Sequence, residues 1–199
     1  MMEAMPVLTA LGSAIPLAFA SGLNVYATIA VIGISSRYGL VTLPDQFRAF
    51  DNPIIIGVAV GLYLVEFIAD KIPWLDSLWD MVHTVIRPFG GALLAVMALG
   101  NASPLARALA ALLGGSVAMT THVTKAGTRV AANASPEPFS NWLLSLGEDL
   151  LTVTLSYTAL RSPRIALAIA VALLLVVLAF ASFIIRALRR RFFPPRAAA

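Results

Sequence analysis

Long apolar runs alternate along the chain with short breaks rich in proline, glycine and asparagine. The runs cover 7–36, 53–70, 80–99, 104–131, 141–160 and 163–186, each close to or beyond the ~20 apolar residues that cross a bilayer as a helix. Between them lie Tyr38-Gly39 through Asn52-Pro53, Lys71-Ile72-Pro73, Gly100 through Pro104, Asn133 through Pro138, and Arg161-Ser162-Pro163, turn-forming sequences too short to hold a second domain. The pattern predicts an all-α membrane protein with about six transmembrane helices. These form a single helical domain over 1–187, with halves 1–100 and 101–187, followed by a basic tail over 188–199. Ala18-Phe19-Ala20 resembles a secretory cleavage site, but the start Met-Met-Glu is acidic and apolar residues continue to Ser35, so the segment is expected to stay as a helix.

Two runs exceed an untilted span and carry small residues centrally: 7–36, with Pro16 and Ser21-Gly22, and 104–131, with Gly114-Gly115-Ser116. Interrupted first and fourth helices would occupy matching positions of an inverted three-plus-three repeat, as around the mid-membrane sites of transporters. Close helix packing is the plainer account of such glycines, and the one expected for Gly57 and Gly61.

Composition agrees with a bilayer. The 199 residues are 59% hydrophobic and 12% charged, against about 25% charged in soluble domains, and the mean hydropathy is +0.88. The net charge of +4 does not indicate nucleic acid, because Arg186, Arg189, Arg190, Arg191 and Arg196 crowd the end of the last apolar run. By the positive-inside rule they place the C-terminus in the cytoplasm, and an even helix count places the N-terminus there too. No cysteine is present, so disulfides and thiolate chemistry are excluded.

Charges inside spanning helices are costly and usually face protein or water. Glu66 and Asp70 lie four apart, on one helix face. Asp76, Asp80, His83 and Arg87 fall in a stripe about 60° wide. His122, Lys125 and Arg129 share a face at the end of the fourth helix, and Ser145, Glu148 or Asp149, Thr152 and Ser156 a face of the fifth. With Lys71, these groups gather at one, predicted cytoplasmic, side, while Ser21, Asn24 and Thr28 of the first helix lie deeper. Asp76, Asp80, Lys71 and Arg129 also suit solvated helix ends. Trp74, Trp79 and Trp142 suit an interfacial belt.

Ala20-Ser21-Gly22-Leu23-Asn24, Glu66-x-x-x-Asp70-Lys71-Ile72-Pro73-x-x-Asp76, Arg87-Pro88-x-Gly90-Gly91-Ala92, His122-x-x-Lys125-x-x-x-Arg129 and Glu148-Asp149 together resemble a family of small bacterial integral membrane proteins known only as a domain of unknown function. The resemblance covers roughly residues 10–160. It implies a bacterial inner-membrane location and a shared polar core, and carries no activity.

The leading expectation is a transporter-like or flippase-like protein that binds a small or lipid-linked anionic solute at the polar cluster, with Glu66 or Glu148 able to carry protons. Against it, nearly all the polar groups lie on one side, whereas inverted halves should separate them. The alternative is an enzyme acting on a lipid head group, with a divalent metal held by Glu66, Asp70, Asp76 or Asp80 and His83 or His122 as acid or base. A third reading is a non-catalytic assembly subunit. Membrane lipids are the expected partners, and so small a chain would enclose a path most readily as a homo-oligomer.

Overall fold

Proline marks the helix starts. Pro53, Pro73, Pro104 and Pro163 each open an α-helix, where a missing N–H costs nothing because the first turn's amides have no intrahelical acceptor. In the computed structural model, which describes residues 4–43, 45–133 and 139–192, the helices are α1 (Ala4–Arg37), α2 (Pro53–Ala69), α3 (Pro73–Leu99), α4 (Pro104–Asn133), α5 (Phe139–Arg161) and α6 (Pro163–Phe192). A 3-10 turn (Asp45–Asp51) precedes α2, and no strand occurs among the described residues. All six apolar runs are therefore helical. The third starts seven residues earlier than the apolar pattern indicates, with Asp76 in its first turn, where the helix dipole favours a negative charge. Of the expected tail over 188–199, only the helical backbone of 188–192 is described; 193–199 lie outside the described residues.

α1 departs most from expectation. Asn24 sits in it with φ −156° and ψ 102°, outside helical geometry. Its Oδ1 accepts from the Ala27 amide at 2.9 Å, the geometry of an N-cap opening a second helical arm. The two arms fold back on one another. Ser13 Oγ donates to Ala159 O, and Ser156 Oγ reaches Thr28 Oγ1. A straight helix would hold Ser13 and Thr28 about 22 Å apart, yet they meet positions of α5 only about 4.5 Å apart along its axis. The outer parts of both arms reach the same end of the bundle: Gly12 lies against Pro163 at the start of α6, and Gly33 against Phe50 and Ile56 at the start of α2. α1 is thus a helical hairpin with its tip, Ser21 to Tyr26, pointing into the bundle. Its apolar stretch, Thr9–Arg37, is 78% buried, against 28% for that of α3 and 11% for that of α6. Ala18, Phe19 and Ala20 are core residues.

Three helices are long and apolar enough to cross a membrane, namely Thr9–Arg37, Trp74–Leu99 and Pro163–Phe183; the 3-10 turn with α2, bent by 70°, makes a fourth candidate. The fold-back qualifies the first. From Gly12 to Leu23 is about 16 Å, and the second arm spans about 20 Å, each short of a ~30 Å hydrocarbon core. The N-terminal arm also begins beside the start of α6, so the start of α1 and the described end of α6 lie at opposite ends of the bundle.

The fourth helix corrects a second expectation, because α4 runs unbroken through Gly114-Gly115. These glycines serve packing: a Cβ on Gly114 would lie 2.5 Å from Ala95 Cβ and from Gly91 O, and one on Gly91 2.4 Å from Ala118 Cβ. α3 and α4 therefore cross with backbones nearly touching. Among the described residues the interruption expected of the first helix is present, at Asn24, and that of the fourth is not, so the matched pair of breaks expected of an inverted repeat is not seen. Gly57 and Gly61 pack against no helix among the described residues of the chain. Both face open space, where an added Cβ would meet nothing within 4 Å.

Candidate functional site

The end of α2, the start of α3, the second half of α4 and the first half of α5 converge around the hairpin tip, as the helix-end reading expects. Each supplies charge. Arg87, fully buried on α3, donates from Nη2 to Glu66 Oε1 at 2.8 Å and from Nη1 to Asp80 Oδ1 at 3.2 Å. Lys125 holds Glu66 Oε1 at 3.2 Å, Asp70 Oδ2 at 3.3 Å and Glu148 Oε2 at 3.6 Å. Arg129 holds Glu148 Oε2 at 2.6 Å, Asp70 Oδ2 at 2.7 Å and Asp76 Oδ1 at 4.0 Å. Every member lies within reach of an opposite charge, which a dry interior demands.

The network is bonded to the hairpin. Lys125 Nζ donates to Leu23 O at 3.2 Å, placing a cation at the carboxyl end of the first arm, the negative end of its dipole. Ser21 Oγ donates to Arg87 O. Asn24 and Thr28 are buried beside it, Thr28 Oγ1 donating to Asn24 O at 2.8 Å. Asn24 Nδ2 and Arg87 Nε are buried donors without a partner among the described residues.

The partners of both histidines constrain where their protons sit. Arg87 Nη1 approaches His122 Nδ1 at 2.6 Å, and a guanidinium can only donate. Nδ1 is therefore bare, and Nε2–H donates to Thr84 Oγ1 at 3.0 Å. His83 Nδ1 meets the Trp79 carbonyl at 2.7 Å, so it carries a proton, and Nε2 shares a hydrogen bond with the Tyr26 hydroxyl at 3.0 Å. The His122 ring is neutral in this arrangement.

Lys71 and Asp149 stand apart. Lys71 Nζ donates to Phe67 O at 2.8 Å, lies 3.1 Å from the centre of the Phe67 ring and reaches Ser145 Oγ at 3.4 Å. It has no carboxylate within ion-pair distance among the described residues. Burial pushes its ammonium below the ordinary lysine value, while Asp149 and Asp70 oppose that shift. Asp149 is the single described carboxylate without an ion pair, and its Oδ2 is buried without a partner.

The twelve ionisable residues singled out from the sequence, with Ser21 and Asn24, thus gather at this end of the bundle, Asp76, Asp80 and Arg129 as buried members of the network and not solvated ends. Four further residues contribute that the sequence did not single out for the site. Tyr26 and Trp79 flank His83, Trp79 stacking on it at 4.9 Å with an interplanar angle of 28°, so Trp79 leaves the interfacial belt to Trp74 and Trp142, both exposed. Thr84 fixes the His122 tautomer. Asn141 accepts from Arg129 at 2.8 Å and donates to Asp70 O at 3.1 Å. Trp79 lies four residues before His83, a helical spacing that carried the signal.

The metal reading finds no support in the donor set. Among the described residues no group of three or more histidine or acidic side chains is disposed to hold a metal ion, and Glu66, Asp70, Asp76 and Asp80 are engaged by arginine and lysine.

Comparison with curated proteins and with solved structures finds no match. The family pattern of a domain of unknown function, DUF4126, matches residues 11–183, a stretch that takes in the hairpin, the whole ionic network and most of α6, and the chain belongs to that family.

Proposed function

We propose that the protein is a proton-coupled membrane carrier, with the α1 hairpin as a re-entrant element and the ionic network at its tip as the site of proton exchange. The observation that carries this is the fold-back at Asn24. Non-helical backbone at membrane depth is tolerated only inside protein or beside a water-filled path, and broken helices of this kind present their ends to transported ions. Two buried donors without partners, Asn24 Nδ2 and Arg87 Nε, give a cargo or water something to bind.

The expected anionic cargo fits less well than a proton. Arg87, Lys125 and Arg129 each engage two or more carboxylates. Glu66, Asp70, Asp76, Asp80 and Glu148 against these three cations leave the network two negative charges in excess when both histidines are neutral. Such a site favours positive charge. In this reading α2 to α6 make five crossings around the hairpin. The network side, toward which the described part of α6 runs, faces the cytoplasm by the positive-inside rule, and the start of α1 lies on the other side.

Purified protein in liposomes, with a pH-sensitive dye inside and an imposed pH gradient, tests this. Proton flux above that of protein-free liposomes, falling to background in Glu66→Gln, is expected. Wild-type flux at background, or an unchanged rate in Glu66→Gln, would overturn it. The dense pairing itself favours the second reading, a non-catalytic membrane subunit whose network only fixes the hairpin, and absence of flux from well-folded wild type would leave that reading standing.

A further inference from the structure

The two charges that stand outside the network lie beyond one end of a groove. Between the second arm of α1, α2 and α5 runs an apolar groove of about 430 Å³, walled by Val31, Ile34, Val60, Tyr63, Val153 and Tyr157. That is within the roughly 300–1,000 Å³ of small-molecule sites. Toward the network end it meets charge. The Tyr63 side chain lies near the Asp149 carboxylate, and Asp149 lies one helical turn before Val153. One turn further, Ser145 contacts Lys71, whose ammonium sits on Phe67, itself one turn beyond Tyr63.

Asp149 is only 8% exposed, has an Oδ2 without a partner and has no cation within ion-pair distance among the described residues. An isolated buried carboxylate is expensive unless something positive reaches it. Lys71 is its counterpart, a half-buried cation with no carboxylate. The other five carboxylates and three cations of the cluster form ion pairs with one another, which leaves Asp149 and Lys71 as its two charges without an ion pair among the described residues. Because the groove walls include outward-facing Val153 and Ile34, it opens sideways to whatever surrounds the bundle.

We propose that this groove holds one membrane phospholipid whose headgroup carries both a phosphate and a primary ammonium. The phosphate sits on Lys71, the ammonium on Asp149, and one acyl chain lies along Tyr63, Val60 and Ile34. Measured along α5, Ser145 and Lys71 lie nearest the helix end, at headgroup depth, and Asp149 one turn further in, so the short ethanolamine arm turns inward from the phosphate to reach it while the acyl chain continues along the apolar walls. A primary ammonium donates three hydrogen bonds, enough for Asp149 Oδ2 and the Tyr63 hydroxyl together. A choline group donates none, and a glycerol headgroup lacks the charge.

The site is separate from the flux reading above and can stand without it. Full-length protein in nanodiscs, with spin-labelled phosphatidylethanolamine, phosphatidylcholine and phosphatidylglycerol as probes, reads the immobilised lipid fraction directly. The ethanolamine probe is expected to bind about tenfold more tightly than the other two, about one charge-assisted hydrogen bond. Asp149→Asn should erase that preference, Lys71→Ala should weaken all three probes, and Val153→Trp, which fills the groove from an exposed position, should release the ethanolamine probe. Equal binding of the three probes to wild type, or a preference that survives both Asp149→Asn and Val153→Trp in variants with unchanged size-exclusion profiles, would overturn the proposal.

Discussion

Arg87 shows how strongly a single side chain is held in place here. It is fully buried and joins Glu66, Asp80 and His122 at 2.8, 3.2 and 2.6 Å. Deleting it leaves Asp80 without its ion pair and Glu66 with only Lys125. Removing one partner of a buried pair typically costs about 3–5 kcal/mol, so Arg87→Ala should lower the thermal unfolding midpoint in detergent more than any substitution on the lipid-facing side of α3. Adding Glu66→Gln to Arg87→Met should recover part of the loss, with a coupling of about 0.5–3 kcal/mol. Strict additivity of the two would show that these groups do not depend on each other. The bond to His122 adds a tautomer constraint: an asparagine there can still offer a carbonyl to Arg87, whereas a lysine cannot.

Among the elements, glycines that look alike in sequence divide into two kinds. Gly91 and Gly114 let α3 and α4 meet, since a Cβ on either would fall 2.4 or 2.5 Å from a neighbouring Cβ atom. Gly57 and Gly61 meet nothing. Gly91→Ala should therefore cost about 1–3 kcal/mol through overpacking, while Gly57→Ala should be neutral or stabilise by up to about 1 kcal/mol through helix propensity. Thermal melts of the two variants side by side check this, and equal effects would contradict the difference in packing. Helix existence was legible because it rests on local apolar runs and prolines. The role of each glycine was not, since a Gly-x-x-x-Gly spacing says that a close approach is available and not that a neighbour takes it. The network was legible for the same local reason: Glu66 with Asp70, and Asp80 with His83 and Arg87, lie at helical spacings that fix a shared face. The partner across the bundle was beyond reach. Nothing in the spacing joins Lys125 to Leu23 O, or Asn141 to Arg129, because those contacts depend on how the helices pack.

For the whole molecule, the decisive residue is Asn24. Residues 7–36 read as one long helix interrupted near Ser21-Gly22, and nothing local distinguishes a kink from a reversal: Asn is a good N-cap, but a cap says only that a helix starts there, not where the preceding one came from. Long-range contacts decide it, with Gly12 at the start of α6 and Gly33 at the start of α2. The consequence is testable because the chain has no cysteine, so single cysteines can be introduced without removing any. Thr9 precedes the first arm's buried part, Tyr38 follows the second arm and is 74% exposed, and Arg186 lies near the far end of α6. If α1 crossed the membrane once, Thr9→Cys and Tyr38→Cys would react with a membrane-impermeant maleimide from opposite sides. A hairpin puts both on one side and Arg186→Cys on the other, since α2 to α6 add an odd number of crossings. Labelling of intact cells and of inverted vesicles separates the two arrangements. Thr9 and Tyr38 labelled together, with Arg186 labelled only in inverted vesicles, is the result the fold-back requires.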